Sequence, residues 1–381
     1  MTVSNAWERS AASALEEGYS RWVRTALARR AETPEAIVLF DSTIPEPTEL
    51  LAGVIARAFS GQITDRYESV FSSGNRFVAK AVADRCGVSP DQVIGAAGAT
   101  SAMAMAIRAF VRPGERVLVE TPGFDLLASL AREAGAVVDW LPRRAPDFQV
   151  DPDELDAAIG PDTRLVVLTQ VHNPSGAALT PQALDKIAKV ARDASVPVLI
   201  DAVYADFLGE AGVIAPDPQF IIAGSLSKVH GLFALRCGWL TASQASIARI
   251  EAANPQGDLA VSKLTHAIGA LVLEDLAPFD AHWRASLSAT RAVVEPRVSA
   301  MIEAGLLEGE LPPHGCMYFP RVRGVQDTLA LAERLWAQHR LIVAPGEHFG
   351  LAGHIRLGFG GEPDLLERGL VALEAALRHT P

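Results

Sequence analysis

Short apolar runs alternate with longer alanine-rich stretches through the middle of the chain. The apolar runs have the length of strands, and they are nearly continuous in Val, Ile and Leu, as in strands buried on both faces. We predict seven strands: Val93–Ala97, Arg116–Glu120, Val137–Leu141, Arg164–Gln170, Val198–Asp201, Phe220–Gly224 and Gly238–Thr241. Such strands alternating with helices indicate an α/β fold, in which helices cover both faces of a mainly parallel sheet.

The stretches between these strands carry helix signals. Thr180 can cap the helix that follows it, and Pro181 suits the first helical position. The predicted helices of this region are Ala99–Val111, Phe124–Ala134, Pro152–Ile159 and Pro181–Ala194. The last hundred residues change character, with long helices at Leu259–Leu276 and Trp283–Ala304 and short strands near Gly315–Pro320 and Ile355–Gly358. We expect this part to form a smaller unit of mixed helices and strands.

Composition narrows the functional classes. The chain has 381 residues, 49% hydrophobic and 21% charged, and its apolar runs are too short and interrupted to span a bilayer. The first residues lack the apolar core of a signal peptide, so we expect a cytoplasmic protein. A net charge of −11 argues against nucleic acid or an anionic membrane as a partner. The three cysteines and nine histidines lack the spacing of metal ligands, so we expect no metal.

Polar residues at strand ends carry the candidate chemistry, because ligands of parallel sheets bind beyond the carboxyl ends of the strands. Lys228 follows one such strand and is one of five lysines, against 29 arginines. Only a deprotonatable amine can attack a carbonyl group to form an imine, so arginine cannot replace a lysine that does so. Ser225 stands three positions before this lysine and Arg236 eight positions after it.

Three other strands end in polar or small residues. Gly98, Ala99 and Thr100 open a helix, where backbone N–H groups can approach a phosphate. Asn173 follows the strand Arg164–Gln170, in an Asn-Pro-Ser-Gly sequence that is also ordinary turn chemistry. Asp201 ends another strand, where an aspartate also commonly caps a helix.

Together these segments resemble the class I/II aminotransferases, which are fold type I pyridoxal-phosphate (PLP) enzymes, from about Asp41 onward. The resemblance implies a PLP-transferase-like three-layer sandwich with a smaller α+β domain. It implies an N-terminal arm over residues 1–45, a large domain over 46–283 and a C-terminal domain over 284–381. It also implies a Schiff base between PLP and Lys228.

The resemblance assigns a role to each candidate residue. Asp201 and Tyr204 would act in catalysis at the ring nitrogen and ring oxygen, Phe124 would stack on the ring, and Asn173 would bind both cofactor and substrate. The implied phosphate ligands are Gly98, Ala99, Thr100, Ser225 and Arg236, with Tyr67 from the neighbouring subunit of a homodimer. In the C-terminal segment His354-Ile355-Arg356-Leu357, Arg356 would bind the substrate carboxylate.

The implied activity is ping-pong transfer of an amino group from an α-amino acid to a 2-oxo acid. Asp41-Ser42-Thr43-Ile44-Pro45-Glu46 stands where many relatives carry a glycine near the substrate, which changes the wall of the pocket. The same residues serve other reactions, so a carbon–sulfur β-lyase or another PLP lyase stays an alternative. A PLP-binding regulator without turnover is a remote one.

Overall fold

The computed structural model describes residues 6–68, 74–255 and 261–379. The predicted helix start at Leu259 lies outside these residues. The helices are α1 Ala6–Glu32, α2 Thr48–Ala58, α3 Arg76–Cys86, α4 Ala99–Phe110, α5 Asp125–Glu133, α6 Pro152–Ala158, α7 Pro181–Ala194, α8 Gln244–Ala253, α9 Lys263–Glu274, α10 Ala277–Glu303, α11 Thr328–His339 and α12 Pro363–Arg378.

The strands fall into one large sheet and several small ones. They are β1 Ile37–Val38, β2 Phe40–Asp41, β3 Val93–Ala97, β4 Arg116–Thr121, β5 Val137–Pro142, β6 Thr163–Thr169, β7 Val198–Asp201, β8 Phe220–Ser225, β9 Cys237–Thr241, β10 Leu307–Glu308, β11 Met317–Tyr318, β12 Arg321–Val322, β13 Leu341–Ile342, β14 Ala344–Pro345 and β15 Ile355–Phe359.

The large sheet has seven strands in the order β3-β9-β8-β7-β6-β4-β5. Only β9 runs antiparallel to its neighbours, and the other pairs are parallel. The predicted α/β fold with a mainly parallel sheet is therefore confirmed. All seven predicted strands are present, with bounds that differ by one residue at most.

Helices bury both faces of this sheet. Along β6, Leu165 and Val167 pack with α4, α5 and α8, whereas Val166 and Leu168 pack with α6 and α7. Side chains of a strand alternate between the two faces, so a strand covered on both sides must be apolar at every position. This alternation explains the near-continuous Val, Ile and Leu of the sequence.

The C-terminal part forms a second packing unit with the N-terminal segment. Strands β11, β15 and β14 form a sheet, and β2 pairs in parallel with β15. Helix α10 begins at Ala277 rather than at Trp283 as predicted, with Pro278 in its first turn. The predicted strand Gly315–Pro320 is shorter, β11 covering Met317–Tyr318. The domain boundaries at residues 45 and 283 stay a prediction.

Helix α1 was not predicted, and a kink at Gly18 divides it. Gly18 has φ 65°, and a Cβ there would lie 2.3 Å from Asp125 Oδ2. Directly after the kink, the Ser20 backbone N–H and hydroxyl donate to Asp125 Oδ1 at 3.1 and 3.0 Å. These contacts hold the second half of α1 against the start of α5. The N-terminal segment is thereby brought to the carboxyl edge of the large sheet.

Within the described ranges, none of the helices combines the length and apolar character that a bilayer span requires. The same residues hold no cluster of three or more His, Cys, Asp or Glu side chains suited to a metal ion.

Candidate active site

Lys228 lies just beyond the carboxyl end of β8, where the sheet meets the N-terminal segment. Its side chain is half-buried, and Nζ donates a hydrogen bond to Thr43 Oγ1 at 3.3 Å. Burial lowers the pKa of the Lys228 ammonium, and the nearby Asp41 carboxylate partly opposes this shift. The environment therefore increases the share of neutral amine, which is the form that can attack a carbonyl group.

Asp201 ends the neighbouring strand β7 and is buried. Its Oδ1 accepts the Val203 backbone N–H at 3.2 Å, so it does make the turn contact expected of a strand-end aspartate. Burial raises the pKa of Asp201 to about 6, with the Glu120 carboxylate adding to the rise and Lys228 opposing it. A cation placed beside this carboxylate would be strongly stabilised, because the pocket already disfavours a lone negative charge.

Asn173 and Arg356 contact each other across the junction of the two packing units. Arg356 Nη1 donates to Asn173 Oδ1 at 2.8 Å, which leaves the Asn173 Nδ2 group as a donor. Arg356 is only 1% exposed, and its Nη2 donates to the Phe40 carbonyl at 2.8 Å and to the Tyr19 hydroxyl. Its Nε is buried and has no partner among the described residues. An unpaired buried donor on a guanidinium fits a carboxylate ligand.

The start of α4 is built to approach an anion. Gly98 precedes the helix with φ 83° and ψ 167°, and no side chain caps the helix. The first helical bond runs from the Ala102 N–H to the Gly98 carbonyl, so the N–H groups of Ala99 and Thr100 point out of the helix start. A Cβ at Gly98 would lie 2.5 Å from Arg236 Nη2. The missing side chain therefore admits the Arg236 guanidinium to the same corner.

The remaining predicted residues lie at different depths. Ser225 is buried at the end of β8. Tyr204 is buried, its hydroxyl lies 2.8 Å from Ser42 Oγ, and burial raises its pKa. Phe124 immediately precedes α5 and meets the Tyr19 ring edge-on at 6.1 Å between centroids. Tyr67 is 38% exposed on the surface of this chain.

A buried ion pair lies beside these residues and was not predicted from sequence. Arg143 Nη1 donates to Glu120 Oε2 at 2.8 Å, and both side chains are inaccessible to solvent. Glu120 also accepts the Thr169 hydroxyl, and Thr169 Oγ1 accepts the Asn173 backbone N–H at 3.2 Å. Burial raises the pKa of Glu120, whereas Arg143 and Thr169 lower it. This network fixes the backbone that carries Asn173.

Three further residues of the N-terminal segment escaped prediction as site residues. Tyr19 lies 4.2 Å from the Arg356 guanidinium, measured to the ring centroid, and stacks on Phe349 at 4.9 Å. Ser42 and Thr43 contact Tyr204 and Lys228. The sequence offered one signal for Tyr19, a glycine directly before it within a helical pattern. For Ser42 and Thr43 the signal was that the segment beginning at Asp41 stands where many relatives carry a glycine.

The site therefore brings five kinds of group together. They are the Lys228 amine, the buried Asp201 carboxylate, the donors of Asn173 and Tyr204, the start of α4 with its outward N–H groups, and Arg356 with an N–H that has no partner among the described residues. PLP is a flat aldehyde with a ring nitrogen, a ring oxygen and a phosphate, and this donor set fits each of its parts. The close approach of the Arg236 guanidinium to the helix start at Gly98, and the Arg356 Nε that has no partner among the described residues, are the two observations that carry this fit.

Comparison with known proteins gives the same class. The sequence profile of the family described as aminotransferase class I and II matches residues 53–373. The chain is 32% identical over 319 residues to capreomycidine synthase from Streptomyces vinaceus, covering 80% of each chain. It is 28% identical over 368 residues to arginine–pyruvate transaminase from Pseudomonas aeruginosa, covering 88% of each.

Solved structures share the fold. Aspartate aminotransferase from Thermotoga maritima superposes with a TM-score of 0.80 at 20% identity, over 93% of this chain and 96% of that one. A PLP-dependent cyclase superposes with a TM-score of 0.78 at 27% identity, over 91% and 94%. The fold and the site thus define a PLP-dependent enzyme. The chain belongs to the class I and II aminotransferase family, whose members use pyridoxal phosphate.

Proposed function

We propose that this enzyme transfers the amino group of an α-amino acid to a 2-oxo acid. The observation that carries the proposal is the contact of Arg356 with Asn173. This contact lies close enough to Lys228 for the charge of Arg356 to lower the pKa of the Lys228 amine. Arg356 is the residue proposed to bind the substrate carboxylate, and Asn173 is a donor proposed for the ring oxygen, so the contact brings the two binding sites together. The reacting amine therefore faces a substrate that is held by its own α-carboxylate.

The cofactor would be bound by residues at the carboxyl ends of five strands, together with Arg236. Asp201 would hold the proton of the ring nitrogen, Tyr204 and Asn173 would donate to the ring oxygen, and Phe124 would cover the ring. The proposed phosphate ligands are Gly98, Ala99, Thr100, Ser225 and Arg236, with Tyr67 reaching in from a partner subunit. Bound PLP supplies an electron sink for the pair left at the substrate carbon.

Lys228 would move the proton on which the reaction depends. Its buried amine has a lowered pKa, so at neutral pH a larger share is free to accept a proton. Nζ takes up the proton of the substrate Cα and holds it for return. Arg356 keeps the α-carboxylate in place during this transfer, because its planar fork fixes both position and orientation.

The test is chemical. Borohydride treatment of the holoenzyme followed by peptide mass mapping should leave a pyridoxyl tag on Lys228. Lys228→Ala should lose the tag and multiple turnover, whereas Lys186→Ala, an exposed lysine of α7, should keep both. A tag on another residue, or sustained turnover without Lys228, would refute the assignment.

The names of two relatives favour a second candidate, a PLP reaction without net amino transfer. One relative is a capreomycidine synthase and one is a PLP-dependent cyclase, at 32% and 27% identity. Loss of a group from the β-carbon, as in the lyase alternative, or ring closure would then replace transamination. A regulator without turnover has no comparable support.

A panel of amino acids distinguishes these reactions. The panel includes arginine, because one relative is an arginine–pyruvate transaminase. Conversion of the donor to a 2-oxo acid only with an amino acceptor present supports transamination. Release of ammonia and a 2-oxo acid without any acceptor supports a lyase. A product that keeps its nitrogen atoms supports cyclisation.

We also propose a cytoplasmic homodimer with sites at the subunit boundary and the three-part division at residues 45 and 283. The exposure of Tyr67 supports the dimer, because a residue meant for the neighbouring site must lie on the surface of its own chain. Size-exclusion chromatography with light scattering measures the mass directly, and a monomer of 40.5 kDa in active holoenzyme would exclude the dimer.

A further inference from the structure

The segment after β2 runs directly against the loop that carries Lys228. The Ile44 backbone N–H donates to the Lys228 carbonyl at 3.1 Å. Gly231, at φ 70°, lies so close that a Cβ there would come within 2.7 Å of the Pro45 carbonyl oxygen. The two backbones therefore fix each other's position on this side.

Two more glycines, one in β15 and one directly after it, confine the same segment. A Cβ at Gly358 would lie 2.5 Å from the Asp41 carbonyl oxygen, and one at Gly360 would lie 2.1 Å from the Thr43 carbonyl oxygen. Any other residue at either position would push the segment away. Residues 41–45 are thus held on both sides by close backbone contacts, which makes the placement of their side chains specific.

Thr43 projects its hydroxyl toward the reacting amine. Its Oγ1 lies 3.3 Å from Lys228 Nζ, and among the described residues it is the one hydrogen-bond partner of that nitrogen. The Thr43 backbone N–H donates to Asp41 Oδ1 at 2.9 Å, which orients the residue. A glycine at this position would leave the amine without this partner.

A hydroxyl can serve both protonation states of an amine. It accepts a hydrogen bond from an ammonium and donates one to the lone pair of a neutral amine. In a buried site this matters, because a polar group without a partner costs more there than in water. The Thr43 hydroxyl can therefore stay bonded to Nζ before and after proton uptake, reversing the direction of the bond.

We propose that Thr43 is a further catalytic residue, whose hydroxyl holds the Lys228 amine in line with the substrate Cα proton and stabilises the ammonium once it forms. In this step the Cα–H bond breaks, an N–H bond forms at Nζ, and the electron pair stays on the substrate. Thr43 gains and loses no net proton. The inference rests on the proposed function only in taking Lys228 as the reacting amine.

Three variants test the role. Thr43→Val removes the hydroxyl at nearly constant shape, Thr43→Ser restores it, and Thr25→Val makes the same exchange at an exposed position of α1. In the apoprotein, competitive labelling with acetic anhydride across pH reports the titration of Lys228 without any turnover. In the holoenzyme, the half-reaction rate is measured with the amino acid that reacts fastest in the unmodified enzyme, with and without deuterium at Cα.

Thr43→Val should shift the Lys228 labelling midpoint downward by about one pH unit, because a hydrogen bond to the ammonium is stronger than one to the neutral amine by about that amount. Its half-reaction should slow by about tenfold or more with a larger deuterium effect, since proton transfer becomes slower. Thr43→Ser should recover both values, and Thr25→Val should change neither.

An unchanged labelling midpoint of Lys228 in Thr43→Val, together with a half-reaction rate within about twofold of the unmodified enzyme, would overturn the proposal. If Thr43→Val does not fold, Thr43→Ala replaces it in the same comparison with Thr43→Ser. An untagged Lys228 after borohydride treatment of the unmodified enzyme would instead refute the proposed function. The two failures are therefore distinguishable.

Discussion

The ionised Asp201 carboxylate should destabilise the folded apoprotein, although the holoenzyme depends on it for turnover. The carboxylate is buried at the end of β7, and burial raises its pKa to about 6 from the ordinary 3.8. A pKa difference of one between the folded and unfolded chain corresponds to about 1.4 kcal/mol, so keeping Asp201 ionised costs the folded apoprotein about 3 kcal/mol. Asp201→Asn removes this charge and keeps the shape of the side chain.

The pH window follows from the direction in which the pKa of Asp201 moves. Below about pH 4 the carboxyl is protonated in both the folded and the unfolded chain, and it costs nothing. Between pH 4 and 6 the unfolded chain loses its proton first, so the stability of the unmodified apoprotein falls as pH rises. Above pH 6 the full cost is present. Asp201→Asn should therefore gain stability at pH 7.5 and nothing at pH 4.

Urea unfolding of both apoproteins at these two pH values measures the difference. Asp185→Asn, at an exposed position on α7, is the matched control and should leave stability nearly unchanged at both. The holoenzyme of Asp201→Asn should lose most of its turnover, because an amide cannot balance a ring cation. An apoprotein of Asp201→Asn no more stable than the unmodified one at pH 7.5 would refute the reasoning.

Three further substitutions test the corners of the site. Gly98→Ala should weaken PLP binding by about tenfold, because the added Cβ displaces Arg236 from the helix start; titration of the apoproteins with PLP checks this. Gly87→Ala is the control and should leave PLP affinity unchanged: it also has a positive φ (67°), but no described atom beyond its chain neighbours lies within 4 Å of an added Cβ. Tyr19→Phe removes the hydroxyl that Arg356 contacts and should raise KM for the amino acid by about fivefold to tenfold in steady-state kinetics. Arg356→Lys lacks the planar fork and should raise KM at least about tenfold in steady-state kinetics, and an unchanged KM would exclude Arg356 from carboxylate binding.

The large sheet was predictable because its strands carry a strong local signal. A strand covered on both faces must be apolar at every position, and β6 and β8 are nearly so. Six helices outside the strand-rich region were not predicted, namely α1 to α3, α8, α11 and α12, and α10 begins earlier than expected. Most of these helices carry a weaker apolar periodicity than α4, α5 and α7, the helices between the strands, so the local signal for them is weaker.

The candidate site was likewise predictable from the sequence only in part. Lys228 and Asp201 follow predictable strands, so chain order and strand polarity were enough to bring them to one edge. Tyr19 reaches Arg356 from the opposite end of the chain, through a kink that exists because Gly18 admits the Asp125 carboxylate. No local pattern encodes such a contact. It depends on how the two packing units meet.

The order of residues was enough to predict the strands whose ends carry the reacting groups, because those strands follow from local apolar patterns. The class of the enzyme was predictable because the residues at these strand ends resemble those of a known family. Which side chains surround the reacting amine became visible only in the folded molecule. Thr43 meets Lys228 because β2 pairs with β15 and glycines let the backbones approach. Packing between distant segments sets such contacts, and a pattern confined to neighbours in sequence carries no record of them.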